Sequence, residues 1–323
     1  MTGFASAWSQ WWQTISLRRK TWPIVLILFW WLGLRLVGGL SSDHLLIGSI
    51  ILLLSYSGPA TDSVFELLTP AFLTVMIYDS MRYYSDLIRS SYIRVTEPYH
   101  FDRFFFGINT SEGVLTPNEW FQRHTHWTLD LVTGFFYLAF VAIFILIGVY
   151  FRFGLPRMQL AATRLKFSPE HIRSRAKSMF WVFFWTNMLG YSTYYWFPAA
   201  PPWYVSQYGL GPADLSVPAS AAGCLRFDQL LGTHFFTGMY GRSADVFGAI
   251  PSLHVAYPLI AVLYALELGS LRVFSVFFYL IMCFSAVYLN HHYILDLLWG
   301  STYAVMVYLF LKKLPSSAQR RPG

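Results

Sequence analysis

Long apolar runs alternate with short polar connections along most of this chain. Runs near the ~17–25 residues that a helix needs to cross a bilayer fall at 22–40, 62–80, 129–151, 178–197, 253–269, 273–290 and 293–312, with a weaker one at 42–57. The pattern predicts seven membrane spans, or eight if the weaker run counts. Ahead of the first run, Phe4, Trp8, Trp11, Trp12 and Ile15 recur at helical spacing, which suits a short helix over 1–21 lying in the headgroup layer. No internal repeat is visible, and the tail from 313 to 323 reads as disordered. The expected fold is all-α: a polytopic transmembrane helical bundle, one domain over 22–312 with its core at about 178–312.

Composition sharpens this picture. Of 323 residues, 55% are hydrophobic and 12% charged, about half the charged share of a soluble domain, so the chain reads as an integral membrane protein. The net charge of +7 would suit nucleic acid if it were gathered on one face. It is instead split into short clusters beside apolar runs, as topology signals are, and no nucleic-acid partner is expected. The first run has no small-residue cleavage site after it and reads as a retained span. Cys224 and Cys283 are the only cysteines, and Cys283 lies inside an apolar run, which argues against a disulfide framework.

Charge bias also orients the chain. The stretch 152–177 reads as a loop with Arg152, Arg157, Arg164, Lys166, Arg173, Arg175 and Lys177 against Glu170 alone, which places it in the cytoplasm. Arg18, Arg19 and Lys20 before the first span and Lys312, Lys313, Arg320 and Arg321 after the last agree with eight spans and cytoplasmic termini. Traced from that anchor, 81–128 and 198–252 are exoplasmic, and His254 and His292 open onto that same face. The segment 81–128 mixes acids, bases and aromatics without an order that assigns it.

Two polar clusters on this face could carry chemistry. His292 and Asp296 stand four residues apart at the start of a helix, so the carboxylate can accept the imidazole N–H and leave the other nitrogen free to attack or to move a proton. His254 supplies a second imidazole for proton transfer to a departing or incoming oxygen. Pro251 and Ser252 stand where a helix begins, so free N–H groups and the Ser252 hydroxyl can hold phosphate oxygens, with Gly248 permitting close approach. The alternatives are interfacial hydrogen bonding by each histidine, a zinc site with His291 as a third imidazole, and a proton relay in a transporter.

PSLH at 251–254 and HHYILD at 291–296 resemble the second and third motifs, P-S-x-H and S-R-x5-H-x3-D, of the type 2 phosphatidic acid phosphatase superfamily. Ser285, His292 and Asp296 match the latter in register. The resemblance implies that His292 is a nucleophile forming a phosphohistidine, Asp296 its orienting partner, His254 the general acid and base, and Ser252 a phosphate ligand. It implies no metal cofactor. Ala286 stands where that motif has arginine, and the first motif, K-x6-R-P, has no match before PSLH. Arg226 and Arg242 are therefore candidates to neutralise the phosphate, with Arg82 further back. FPAAPPWY at 197–204, FGAIPSLH at 247–254 and NHHYILDLLWGS at 290–301 look like the fungal inositol phosphorylceramide synthases.

That likeness implies a membrane phosphotransferase of sphingolipid metabolism that moves inositol phosphate from phosphatidylinositol to a lipid alcohol such as ceramide. The same residues would serve a phosphohistidine route or direct attack. A lipid or polyprenyl phosphate phosphatase is the alternative enzyme. FPAAPPWY reads as a rigid aromatic elbow at the membrane surface, where Trp203 and Tyr204, with His291 nearby, are candidates for substrate contact.

Overall fold

The computed structural model of the chain describes residues 2–84, 89–161, 167–241 and 246–313. Each apolar run forms a helix. Arg242 and the expected disordered tail beyond 313 lie outside the described residues.

The described residues fall into two compact units, divided after position 86. The N-terminal unit consists of α1 (Thr2–Thr14), α2 (Leu17–Leu36), α3 (Ser42–Tyr56) and α4 (Pro59–Met81). Ile27, Trp30, Leu34, Ile51, Phe65 and Met76 form its core. Polar residues tie its ends together: Arg19 pairs with Asp62, and buried His44 with Asp79, which also holds Arg82. The aromatic stripe of α1 binds protein, since the Trp8 indole donates to the Tyr56 carbonyl at 2.8 Å and that of Trp11 to Asp62 at 3.2 Å.

The second unit begins with α5 (Thr96–Phe106), a short hairpin of β1 (Ile108–Thr110) and β2 (Gly113–Leu115), and α6 (Pro117–Arg123). Then come α7 (Trp127–Val149), which runs through a wider turn at Tyr150–Gly154 into α8 (Leu155–Ala161), and α9 (Pro169–Trp196). The stretch read as a loop from 152 is thus helical up to Ala161 and again from Pro169, where the partly buried Arg175–Glu267 pair lets the charged start of α9 join the bundle. Short helices α10 (Pro202–Tyr208), α11 (Leu225–Leu231) and α12 (Phe235–Tyr240) precede the last three, α13 (Leu253–Leu268), α14 (Arg272–Tyr288) and α15 (Ile294–Lys313).

Among the described residues, Pro59–Met81, Trp127–Leu160 and Ile294–Lys313 are helices long and apolar enough to cross a membrane. Helix α13 packs against α7, α9, α14 and α15 and buries residues on every side, from Val255 and Tyr257 to Tyr264 and Leu268. A helix apolar all round belongs in the middle of a bundle, and both histidine motifs sit at the end of the bundle where α13 begins.

Candidate active site

The second histidine motif is a turn held from outside. After α14, Asn290 takes a left-handed conformation (φ 63°), which Asn tolerates better than most residues, and the Ala286 carbonyl accepts from the N–H groups of both His291 and His292 at 3.1 Å. Ala286 is itself fully buried, so the position of the family's arginine is a packing position here. The first N–H groups of α15 need acceptors. Asp102, buried on α5, supplies them: its carboxylate accepts from Ile294 N at 2.7 Å and Leu295 N at 3.0 Å. From α6, Asn118 donates to the carbonyls of Val287 and His292, both at 3.0 Å, and Gln122 to that of Tyr288 at 2.8 Å. The unassigned segment 81–128 therefore contributes the clamp on this turn.

The first histidine motif is laid on α15. Ala199 lies between two extended stretches, bridged on one side to Arg94 and on the other to Gly248, and this fixes the approach to Pro251. Ser252 N donates to the Asp296 carbonyl at 2.9 Å. One turn further along α15, a Cβ at Gly300 would collide with the Ser252 carbonyl, so glycine is required for this close approach.

These supports bring the expected catalytic residues together. His292 Nδ1 lies 3.1 Å from Asp296 Oδ2 and 3.1 Å from the Ala249 carbonyl. Facing two acceptors, Nδ1 carries the hydrogen, which leaves a lone pair on Nε2. His254 Nδ1 is 3.1 Å from that Nε2 and so acts as the donor. Asp296 Oδ2 also accepts from Tyr293 N at 3.0 Å. Burial pushes the His292 imidazole down to about 4, opposed by its bond to the Ala249 carbonyl, so it is neutral near pH 7, the form that attacks. The Ser252 hydroxyl is fully buried, has no hydrogen-bond partner among the described residues and does not cap α13. An unused donor beside the free N–H groups of a helix start suits an anion.

The other candidates are placed differently. Arg226 is held by Asp130 at 2.6 Å and Gln122 at 2.9 Å, so most of its charge is already matched. Arg82 serves Asp79 in the N-terminal unit. Trp203 and Tyr204 are buried in a cluster with Val95, Ala200, Val217 and Phe247. The Trp203 N–H donates to the Asn290 carbonyl at 3.1 Å, and the Tyr204 hydroxyl accepts from Asp214 N at 2.8 Å. The side chains of the elbow thus fill the core under the histidine turn and support it. His291 is also turned away, donating to the Ala221 carbonyl at 3.1 Å. Its ring stacks with those of Tyr137 and Tyr240. Burial, with His292 adjacent, lowers it to about 3. Among the described residues no group of three or more His, Cys, Asp or Glu side chains is arranged to hold a metal ion.

Sequence reasoning missed Asp102, Asn118 and Tyr137, which come from elements more than a hundred residues away from the motifs they support. It also missed Arg94, whose guanidinium stacks 3.8 Å above the Phe197 ring with one nitrogen buried and without a hydrogen-bond partner among the described residues. Only an acid or amide standing out from an aromatic helix, such as Asp102 in HFDRFFF, could have signalled them.

Comparison with known proteins gives the family. Residues 158–310 match the PAP2 superfamily. The phosphoinositol dihydroceramide synthase of Bacteroides thetaiotaomicron is 36% identical over 284 residues, covering 85% of this chain and 85% of that protein. The inositol phosphorylceramide synthase catalytic subunit of Schizosaccharomyces pombe is 36% identical over 41% of this chain, and that of Saccharomyces cerevisiae 34% identical over 39%. The chain spans about a third of the length of these fungal proteins, 32% in each case. No solved structure matches the chain significantly. With matched motifs, the site they form and a relative aligned over most of both chains, this protein belongs to the PAP2 superfamily, among the inositol phosphorylceramide and phosphoinositol dihydroceramide synthases, which are membrane phosphotransferases.

Proposed function

We propose that this protein transfers phosphoinositol from phosphatidylinositol to the primary hydroxyl of a ceramide or dihydroceramide, releasing diacylglycerol, at a site on the exoplasmic face with both termini cytoplasmic. The observation that carries the reading is the line Asp296, His292, His254, with contacts of 3.1 Å throughout, beside the unpartnered Ser252 hydroxyl.

In the resting site His254 N–H occupies the lone pair of the nucleophile. An arriving phosphodiester displaces that bond, and its negative charge favours uptake of a proton from solvent by His254, which becomes the imidazolium. His292 Nε2 then attacks phosphorus, the bond from phosphorus to the diacylglycerol oxygen breaks, and His254 gives its proton to that oxygen. Asp296 holds the Nδ1 hydrogen and balances the positive charge that develops on the His292 ring. In the second half the acceptor hydroxyl yields its proton to His254, its oxygen attacks phosphorus and the N–P bond breaks. Ser252 and the first N–H groups of α13 hold the non-bridging oxygens. Keeping water from the phosphohistidine makes this a transferase and not a phosphatase. The close burial of Ser252, His292 and Asp296 supports that exclusion.

Purified protein in detergent, given phosphatidylinositol with and without ceramide, tests the reading through its lipid products. A new inositol phosphosphingolipid made only with acceptor, and lost in His292→Ala and Asp296→Asn that still fold, is expected. Inositol phosphate released without a new lipid would make the protein a phosphatase, and a fully active His292→Ala would remove the nucleophile.

A further inference from the structure

His292 and His254 are held in unlike ways. His292 has two acceptors behind it, Asp296 and the Ala249 carbonyl. Among the described residues His254 has one side-chain hydrogen bond, to His292, and no carboxylate behind it. That bond must open when substrate arrives, so a group that moves a proton twice in each turnover would lose its only anchor at the moment it is needed.

Aromatic rings surround His254 instead. Tyr137, on α7, lies flat against its imidazole with ring centres 4.3 Å apart and planes 12° apart. Phe140, one turn along the same helix, leans on it at 4.7 Å and 39°. Tyr137 also stacks with His291, at 5.2 Å and 17°, and His291 with Tyr240, at 4.6 Å and 12°. Four rings from four parts of the chain are thus linked by pairwise stacking into one aromatic column that ends on His254. His291 is locked by its bond to Ala221, and Tyr137 is 1% exposed, so neither can tilt without moving its neighbours. A stacked face also suits an imidazole that becomes cationic, because the ring quadrupole attracts positive charge.

We propose that Tyr137, backed by His291 and Tyr240, is the positioning residue of His254, the column doing for this histidine what a carboxylate does for His292. This rests on the reading of His254 as the proton-transfer group. It also gives the first histidine of the HH pair a task apart from substrate contact.

The test compares Tyr137→Phe, which keeps the ring, with Tyr137→Leu, which removes it, and with Tyr240→Ala at the half-buried end of the column. All are made in the full-length protein in detergent, and their thermal unfolding is recorded. Transfer from phosphatidylinositol to ceramide is expected to keep kcat within about threefold in Tyr137→Phe and to lose about 10- to 100-fold in Tyr137→Leu, the scale of a misplaced catalytic group, with both KM values little changed. Adding His291→Ala to Tyr137→Leu should cost nearly nothing more, since members of one unit are not additive. Wild-type kcat in a folded Tyr137→Leu, a loss in Tyr137→Phe equal to that in Tyr137→Leu, or fully multiplicative losses would overturn the proposal.

A second readout does not depend on turnover: the rate at which diethyl pyrocarbonate modifies His254, followed by peptide mass. Removing the ring should speed it severalfold in Tyr137→Leu and less in Tyr240→Ala; equal rates in all variants would sink the column. If the wild type makes no inositol lipid, the transferase reading fails, while the modification rates still decide whether the rings hold His254.

Discussion

Ser252 shows what a single side chain can reveal about a site. Its hydroxyl is buried and bonds to nothing among the described residues, so the fold gains little from it. A hydrogen bond to a charged group is worth about 1.5–3 kcal/mol, or roughly 10- to 150-fold in rate. Ser252→Ala is therefore expected to cut kcat/KM by that factor while leaving the unfolding midpoint unmoved; an unchanged kcat/KM would take Ser252 out of the phosphate site. Histidine burial gives a second, independent expectation. His291 and His292 are lowered to about 3 and about 4 from the usual 6.5, so between these values the unfolded chain binds protons that the native one does not. Their contribution to stability is complete above about pH 6.5 and is lost as pH falls through about 4 and then 3. The thermal midpoint should fall on acidification, with a shallower slope in His291→Phe, and an identical slope in that variant would count against it. At this scale the candidate site was legible as a pattern, because HxxxD and PSLH set the spacing of the side chains that the structure brings together. The roles of Trp203, Tyr204 and His291 were not, since an aromatic or imidazole ring looks the same in sequence whether it faces a lipid or a core.

At the scale of elements, α15 is assembled from both ends of the second unit. Its first turn is capped by Asp102 from α5 and its face at Gly300 receives the backbone of the loop before α13. Neither device follows from local sequence, because a cap is normally sought next to its helix and a glycine within a span reads as neutral. Gly300→Ala forces the Ser252 carbonyl away, an overpacking cost of about 1–3 kcal/mol, and shifts Ser252 relative to Asp296. The expected outcome is a folded protein with kcat lowered at least about tenfold, measured in the ceramide assay; full activity would show that the loop has room to spare. The helices themselves were read correctly from apolar runs, whereas the stretch after 152 was read as a loop because its charges outweighed its helical continuity. The ion pair of Arg175 with Glu267 and the Tyr308 hydroxyl bonded to the same Glu267 explain how those charges are absorbed.

At the scale of the whole molecule, the all-α bundle was visible in hydropathy alone, while the centrality of α13 was not, since its run resembles its neighbours in composition and differs in packing against four other helices. The two ends of that helix carry separate duties. Glu267 near its last turn holds Arg175 at 2.6 Å, a helix length away from His254. Glu267→Gln should therefore lower the unfolding midpoint by several degrees and leave kcat near wild type, and a matching loss of kcat would show that the ends communicate. The length of α13 has one more consequence. Its 16 residues make a rod of about 24 Å, shorter than a hydrocarbon layer of about 30 Å, so we expect His254, at its start, to lie below the level where water begins. A substrate reaches such a depth by drifting sideways within its leaflet and not by arriving from solution. The quantity that sets the rate is then the crowding of donor and acceptor in two dimensions: diluting both with inert lipid at constant bulk amount slows the enzyme, and adding buffer does not.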